Sequence, residues 1–413
     1  MPAVQRSCPA LSASLVPPDS VPLSPTAPWQ PAIEPPARPN STHFFMYAPD
    51  MITEADQHTF RAVLHANQFP ANPAACNRTL LLYDDALTAG LGYTARLIAI
   101  STLVAIQERR VLIYVPHSTA RWCGRAPHTL GCYYEPSTHC TIPQNLSDTS
   151  KWSTRGSSFG YEARLAQSKA HVRISTSQVH RSTFWYKFHP SVKLYSAIYD
   201  LFFKPRPWIQ QLAECTMRAA SLRHGNFAVV HARYSVEKKK ERGARLPVLT
   251  EYLPATEALL AYANVSRIFL QTSTPEAVRL FESWSAEHNW QLSYTQNIRS
   301  TNDPWMTGKG KKEEYKAAGE RESVVAQAVN AHIASRAQHF LSPTSSMWTM
   351  FIRALMGRQV QDRVTSPQSS DDAHEECHLS QNVSKEAMKR CNKKSPLMSV
   401  HRHPGPGSGN DEY

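Results

Sequence analysis

The chain is predicted to be an α/β protein with two Rossmann-like lobes facing a cleft and disordered N- and C-terminal ends. Three observations carry that expectation. Short apolar, β-branched runs alternate with helical periodicity in both halves, the pattern of parallel strands covered by helices on both faces. Residues 79–115 read as strand, Gly-containing loop, helix and strand, a βαβ unit whose right-handed crossover makes its strands parallel. The 30 prolines are unevenly spread: many fall before residue 41, among serines and alanines with no hydrophobic period. The expected organisation is a Pro-rich lead-in at 1–41, an N-terminal lobe with a cysteine-bearing loop at 42–203, a C-terminal Rossmann-like lobe at 204–361 and an unstructured tail at 362–413.

In the N-terminal lobe Thr79–Tyr83 (TLLLY) is a buried strand, residues 94–107 an apolar helix and Val111–Val115 (VLIYV) a second strand. Gly90 and Gly92 precede the helix, with Arg96 in its first turns. Glycines there either make a tight turn, the favoured reading, or let backbone approach a ligand. The pair lacks the third glycine of a dinucleotide-binding motif. Residues 116–183 are polar with few periodic signals, and a connection of that length points to function or an insertion. Aromatics at helical spacing between 184 and 203 are read as core packing. Pro205 and Pro207 mark the boundary, and Pro207 suits the first turn of a following helix.

The C-terminal lobe alternates more regularly. Helices are expected at 208–223, 251–262, 275–287 and 320–336, with strands at 227–231, 267–271, 291–294 and 339–342 and a last helix at 347–356. The loop around Gly308 and Gly310 lacks the spacing of a phosphate-binding Walker loop and is read as mobile surface.

The net charge of +12 raises a nucleic-acid partner, but the basic residues neither fill one helix nor interleave with exposed aromatics, so none is expected. The clusters at 238–242 and 309–312 read as solvated loops, and a basic site also suits a diphosphate. Of the eight cysteines, Cys123, Cys132 and Cys140 share one loop, and at least two of these and Cys76 are expected to pair. Their spacing does not favour zinc, and no metal is expected. Sequons begin at Asn40, Asn77, Asn145, Asn264 and Asn382 and, with the cysteines, suggest the secretory pathway. The N-terminus disagrees, since it shows no signal h-region. No membrane anchor is visible: the longest apolar run, at 97–106, is far below the roughly 20 residues a span requires.

The stretch 226–245 is the strongest site candidate. An apolar run stops at His231, Ala232 and Arg233, and ligands of open α/β sheets collect beyond the carboxyl ends of strands. A guanidinium fixed there can grip a diphosphate through two parallel hydrogen bonds. Glu241 is the nearest carboxylate with a plausible role, in a lysine-rich loop that lowers its strength as a base. The alternative is a strand end with solvated charges. Ser345 and Ser346 stand between a strand and the helix at 347–356, either as phosphate donors at a helix N-terminus or as an ordinary cap.

Four blocks resemble, in order and approximate spacing, the catalytic region of the alpha-1,6-fucosyltransferases of the N-glycan core. They are FFKPRPWIQQL from Phe202, VVHARYSVEKKKE from Val229, RIFLQTSTPEAVRLF from Arg267 and FLSPTSSMW from Phe340. Fucosyltransferases that make alpha-1,2 linkages or act on protein hydroxyls share weaker versions of the last three. The resemblance implies a GT-B-like fold, GDP-fucose as substrate, no cofactor or metal, and a glycan or glycoprotein acceptor. It implies that His231 and Arg233 contact the nucleotide and its diphosphate, that Ser345 and Ser346 hold phosphate oxygens, and that Glu241 is the acceptor base. The family's second arginine and its lysine read Tyr234 and Glu237, its paired aspartates read Ser273 and Thr274, and its guanine-contacting aspartate falls near Asn330 or Ala331. These departures keep open a non-catalytic relative that binds a sugar nucleotide or glycan.

Overall fold

The computed structural model describes residues 54–83, 90–115, 130–141, 149–151, 171–175, 179, 192–233, 249–295, 320–343, 346–357 and 398–400. Glu241, Ser345, Tyr234, Glu237, Cys123, the two basic clusters and the lead-in at 1–41 lie outside these residues, as does the tail apart from 398–400. The chain divides into two compact units, one closing at Arg206 and the next starting at Pro207.

The N-terminal unit holds α1 (Glu54–Gln68), β1 (Thr79–Tyr83), α2 (Leu91–Gln107), β2 (Val111–Val115), β3 (Thr149–Lys151), β4 (His171–Ser175) and α3 (Val192–Phe202). Its parallel sheet has the order β2-β1-β4-β3. The predicted βαβ unit is present, with Thr79 opposite Val111 and Tyr83 opposite Val115. Two expectations need correction. The helix starts at Leu91 rather than three residues later, because the Gly90 carbonyl already accepts from the Tyr93 and Thr94 amides. The stretch read as irregular supplies β3 and β4; β4 alternates buried Val172 and Ile174 with polar residues, and its pairing to β1 is non-local.

The C-terminal unit holds α4 (Pro207–Ala219), β5 (Ala228–His231), α5 (Tyr252–Ala263), β6 (Arg267–Gln271), α6 (Pro275–Glu287), β7 (Gln291–Ser293), α7 (Glu320–Ser335), β8 (His339–Pro343), α8 (Met347–Met356) and β9 (Met398–Val400). The order β7-β6-β5-β8-β9 is parallel except for β9, which runs antiparallel against β8. Residues 398–400, expected in an unstructured tail, are thus a short edge strand; three residues with no period give no local signal. Ala228, Val229 and Val230 are fully buried, as are Ile268, Phe269 and Leu270, so both sheet faces are covered, as uninterrupted apolar runs require. One face packs on Tyr252, Leu259, Phe281 and Trp284 from α5 and α6. The α/β class predicted from the alternation is the class observed.

Candidate functional site

Strand order decides where this sheet can hold a ligand. From β5 the chain passes through α5 to β6 on one side, whereas from β8 it enters α8 and ends, at β9, on the other. The loops leaving β5 and β8 therefore diverge, which opens a crevice beyond their carboxyl ends. His231 ends β5, with Ala232 and Arg233 directly after it, and Ser346 caps the helix that follows β8. Val230 is in register with Leu341, so both segments leave the same sheet edge from adjacent strands.

Arg233 is held by its backbone. The Tyr252 hydroxyl accepts from the Arg233 amide at 3.1 Å and donates to the Arg233 carbonyl at 3.4 Å. Tyr252 is itself fully buried, edge-on to Phe281 at 6.5 Å between ring centroids. Burial pushes its phenol well above the usual range, so it remains a neutral donor and acceptor. The Ala232 amide is fixed on the other side by the Gln271 carbonyl at 2.9 Å. A guanidinium on this clamped backbone projects from a fixed base.

His231 is buried, with its ring tilted 63° to that of Trp348 at 6.5 Å. The Trp348 indole donates to Gln271 Oε1 at 2.8 Å, and Gln271 Nε2 donates to the Asn330 carbonyl at 2.8 Å. Asn330 Oδ1 in turn accepts from the Thr295 hydroxyl at 3.0 Å. Asn330 is thereby joined through Gln271 and Trp348 to the His231 side of the crevice. At the end of β6, Thr272 and Thr274 are buried with hydroxyls 3.3 Å apart, while Ser273 is exposed. Thr274 thus turns its hydroxyl inward where the resemblance expects an aspartate.

Ser346 bears on the two readings of the serine pair. It occupies the N-cap of α8 with extended backbone, yet makes no side-chain capping bond. Its hydroxyl is buried and, among the described residues, has no hydrogen-bond partner. An ordinary cap bonds the second or third amide of its helix, and a buried hydroxyl left unpaired costs about 1–3 kcal/mol. That donor, at the positive end of a helix that follows the strand next to β5, suits an anion.

The remaining predicted residues belong to the N-terminal unit. Gly90 has φ −71° and open space where a Cβ would stand, so its conformation does not require a glycine. Gly92 and Arg96 are buried in the first turns of α2, and Arg96 is already engaged by the protein. The expected cysteine pairing is present as Cys76–Cys140, and Cys132 and Cys215 are also disulfide-bonded. Cys76, His139 and Cys140 bring potential metal-ligating atoms within 4.8 Å, but the two sulfurs are bonded to each other. No helix among the described residues is long and apolar enough to cross a membrane. Sequence reasoning missed Tyr252, Gln271, Thr272 and Trp348. A tyrosine opening an otherwise apolar helix and polar residues ending β6 were the available signals.

No family model and no curated protein matches the chain. Among solved structures it is similar to POFUT1 in complex with GDP, at 10% identity and a TM-score of 0.40, over 69% of this chain and 96% of that one. Two crystal forms of POFUT1 in complex with GDP-fucose are similar at 10% identity, with TM-scores of 0.40 and 0.41. These cover 71% and 70% of this chain and 96% and 97% of theirs.

Proposed function

We propose that the chain is an inverting fucosyltransferase with a GT-B-like architecture, taking GDP-fucose as donor and a glycan or glycoprotein as acceptor, in the Golgi lumen or secretory pathway. Alpha-1,6 is the linkage the sequence resemblance suggests; alpha-1,2 and protein O-linked transfer are its alternatives. The observation that carries the proposal is the buried Ser346 hydroxyl, without a hydrogen-bond partner among the described residues, at the N-terminus of the helix that follows β8, the strand next to the one ending in His231. In this reading the diphosphate lies at the crevice, held by the Arg233 fork, Ser345, Ser346 and the positive end of the α8 dipole. His231 and Asn330 line the nucleoside side. Glu241 takes the acceptor hydroxyl proton as the new carbon–oxygen bond forms. Fixed positive charge stabilises the departing GDP, with no metal in that role.

A second reading, a non-catalytic relative that binds a sugar nucleotide or glycan, is favoured by one specific feature. The oxygen that Asn330 offers where the family has an aspartate already accepts from Thr295, and its amide nitrogen cannot accept from a guanine. Turnover separates the readings. With purified protein and a panel of acceptors, GDP affinity is measured by calorimetry and transfer by GDP release. Arg233→Lys keeps the charge but loses the fork, and transfer is expected to fall on the order of a hundredfold. Glu241→Gln is expected to bind GDP normally and transfer poorly. Ser346→Ala is expected to weaken GDP binding about tenfold without lowering thermal stability, since it removes a hydroxyl the folded protein leaves unpaired. GDP affinity unchanged in both Arg233→Lys and Ser346→Ala would overturn the site.

A further inference from the structure

An open groove at the amino ends of β6 and β7, the sheet edge opposite the crevice, is lined by Glu257, Asn264, Val265, Ser266, His288 and Trp290. We propose that Asn264 is an N-glycosylation site whose glycan lays its first sugars in this groove, against Trp290. Asn264, Val265 and Ser266 form an acceptor sequon, and both polar residues are exposed. Asn264 sits just past α5 in the left-handed region, φ 52° and ψ 44°, a conformation asparagine tolerates better than most residues. The turn is fixed by bonds from the Asn264 and Val265 amides to Ala261 and Leu260. Among the described residues the Asn264 carboxamide makes no hydrogen bond, so its nitrogen is available.

The neighbouring side chains form a rigid platform. Trp290 stacks on His288 with ring centroids 4.9 Å apart and an interplanar angle of 23°. His288 Nδ1 is in turn 3.2 Å from Glu257 Oε1. An indole offers an apolar surface to the C–H face of a pyranose, while Glu257 supplies an acceptor for its hydroxyls. In the modification, the Asn264 nitrogen bonds to the anomeric carbon of an oligosaccharide carried on a lipid diphosphate. The carbon–oxygen bond to the diphosphate breaks, one proton leaves the amide and the lipid diphosphate departs.

The other sequon among the described residues behaves differently. It starts at Asn77, and its Thr79 is buried in β1 with the hydroxyl 2.8 Å from His171 Nδ1. Once β1 pairs with β4 that hydroxyl is sealed, whereas Ser266 stays open after folding.

The test uses the full chain, carried into the secretory pathway of a cultured eukaryotic cell by an added leader and recovered from medium or lysate. Peptide N-glycosidase treatment in heavy-oxygen water, followed by mass spectrometry, should tag the Asn264 peptide. Ser266→Ala should abolish that tag and the mass of one glycan, and Ser266→Thr should keep both. An untagged Asn264 peptide overturns the site. With the glycan in place, Trp290→Ala should speed enzymatic release from the native protein several-fold; an unchanged rate overturns the docking. Neither readout involves GDP or transfer, so this inference and the fucosyltransferase reading can fail separately.

Discussion

In the C-terminal unit the central strands β5 and β6 are sealed by apolar side chains on both faces, and the sheet is extended past β8 by another strand, β9. The N-terminal unit closes its sheet differently. The edge strand β2 is capped by a side chain: the buried Gln68 carboxamide accepts from the Leu112 amide at 2.9 Å and donates to the Leu112 carbonyl at 3.1 Å, mimicking a neighbouring strand. Asn67 adds a bond to the Arg110 carbonyl at 2.7 Å, and Thr138 one to the Gln68 carbonyl at 2.6 Å. The Cys76–Cys140 disulfide then ties the start of β1 to the connection after β2. Apolar burial seals the central strands of the C-terminal sheet, while the N-terminal sheet is secured at its edge by side-chain hydrogen bonds and the Cys76–Cys140 disulfide.

That contrast predicts where each unit breaks. The largest effect is expected for Phe281→Ala, which empties a fully buried site between Tyr252 and Trp284 and should cost about 4 kcal/mol. Hydrogen exchange should show the loss most strongly in peptides from β5 and β6. A comparable loss of protection in β1 peptides would mean the units do not respond separately. Next comes replacement of Cys76 and Cys140 together by serine. It releases a loop spanning 64 positions and should cost about 3 kcal/mol, read as faster exchange and proteolysis in β1 and β2. Unchanged protection there would show that the polar ties alone hold the unit.

The same contrast explains what was legible in the sequence. The bounds of β6, α6 and α8 coincide with the sequence reading because apolar period, Pro275 and the strand-to-helix switch are local signals. β4 was missed because its evidence is its pairing with β1 and the His171–Thr79 contact, both distant in sequence. The site divides likewise. His231 and Arg233 were readable as the polar end of an apolar strand. Tyr252, Gln271 and Trp348 act only because the fold brings α5, β6 and α8 to the end of β5, and no local pattern encodes that order.

A smaller effect tests the side-chain mimic. Gln68→Leu keeps most of the volume but leaves the Leu112 amide and carbonyl unpaired, and should cost about 2 kcal/mol. Thermal unfolding of the variant checks the value. Gln68→Glu should recover the bond from the Leu112 amide but lose the one to its carbonyl, falling between the two.

The smallest effect probes a titratable liability in the apolar unit. His332 lies on α7, with Nε2 closed off from solvent and without a hydrogen-bond partner among the described residues. Burial, and secondarily Arg336, push its pKa down to about 4, against a weaker opposing pull from Glu214. A histidine depressed in the folded state binds fewer protons there than when unfolded. The neutral ring is therefore accommodated in full above the ordinary value near 6.5, and the associated stability is lost as pH falls from there towards about 4. His339, lowered by burial alone, acts with the same sign. The loss assigned to His332 is expected to be on the order of 1–2 kcal/mol across that interval, reduced by its partial exposure. His332→Asn cannot titrate there, so its stability should fall less steeply between pH 6.5 and 4 than that of the parent. Parallel pH profiles for the two proteins would mean that the ring reaches solvent, and that this helix is not sealed in the way β5 and β6 are.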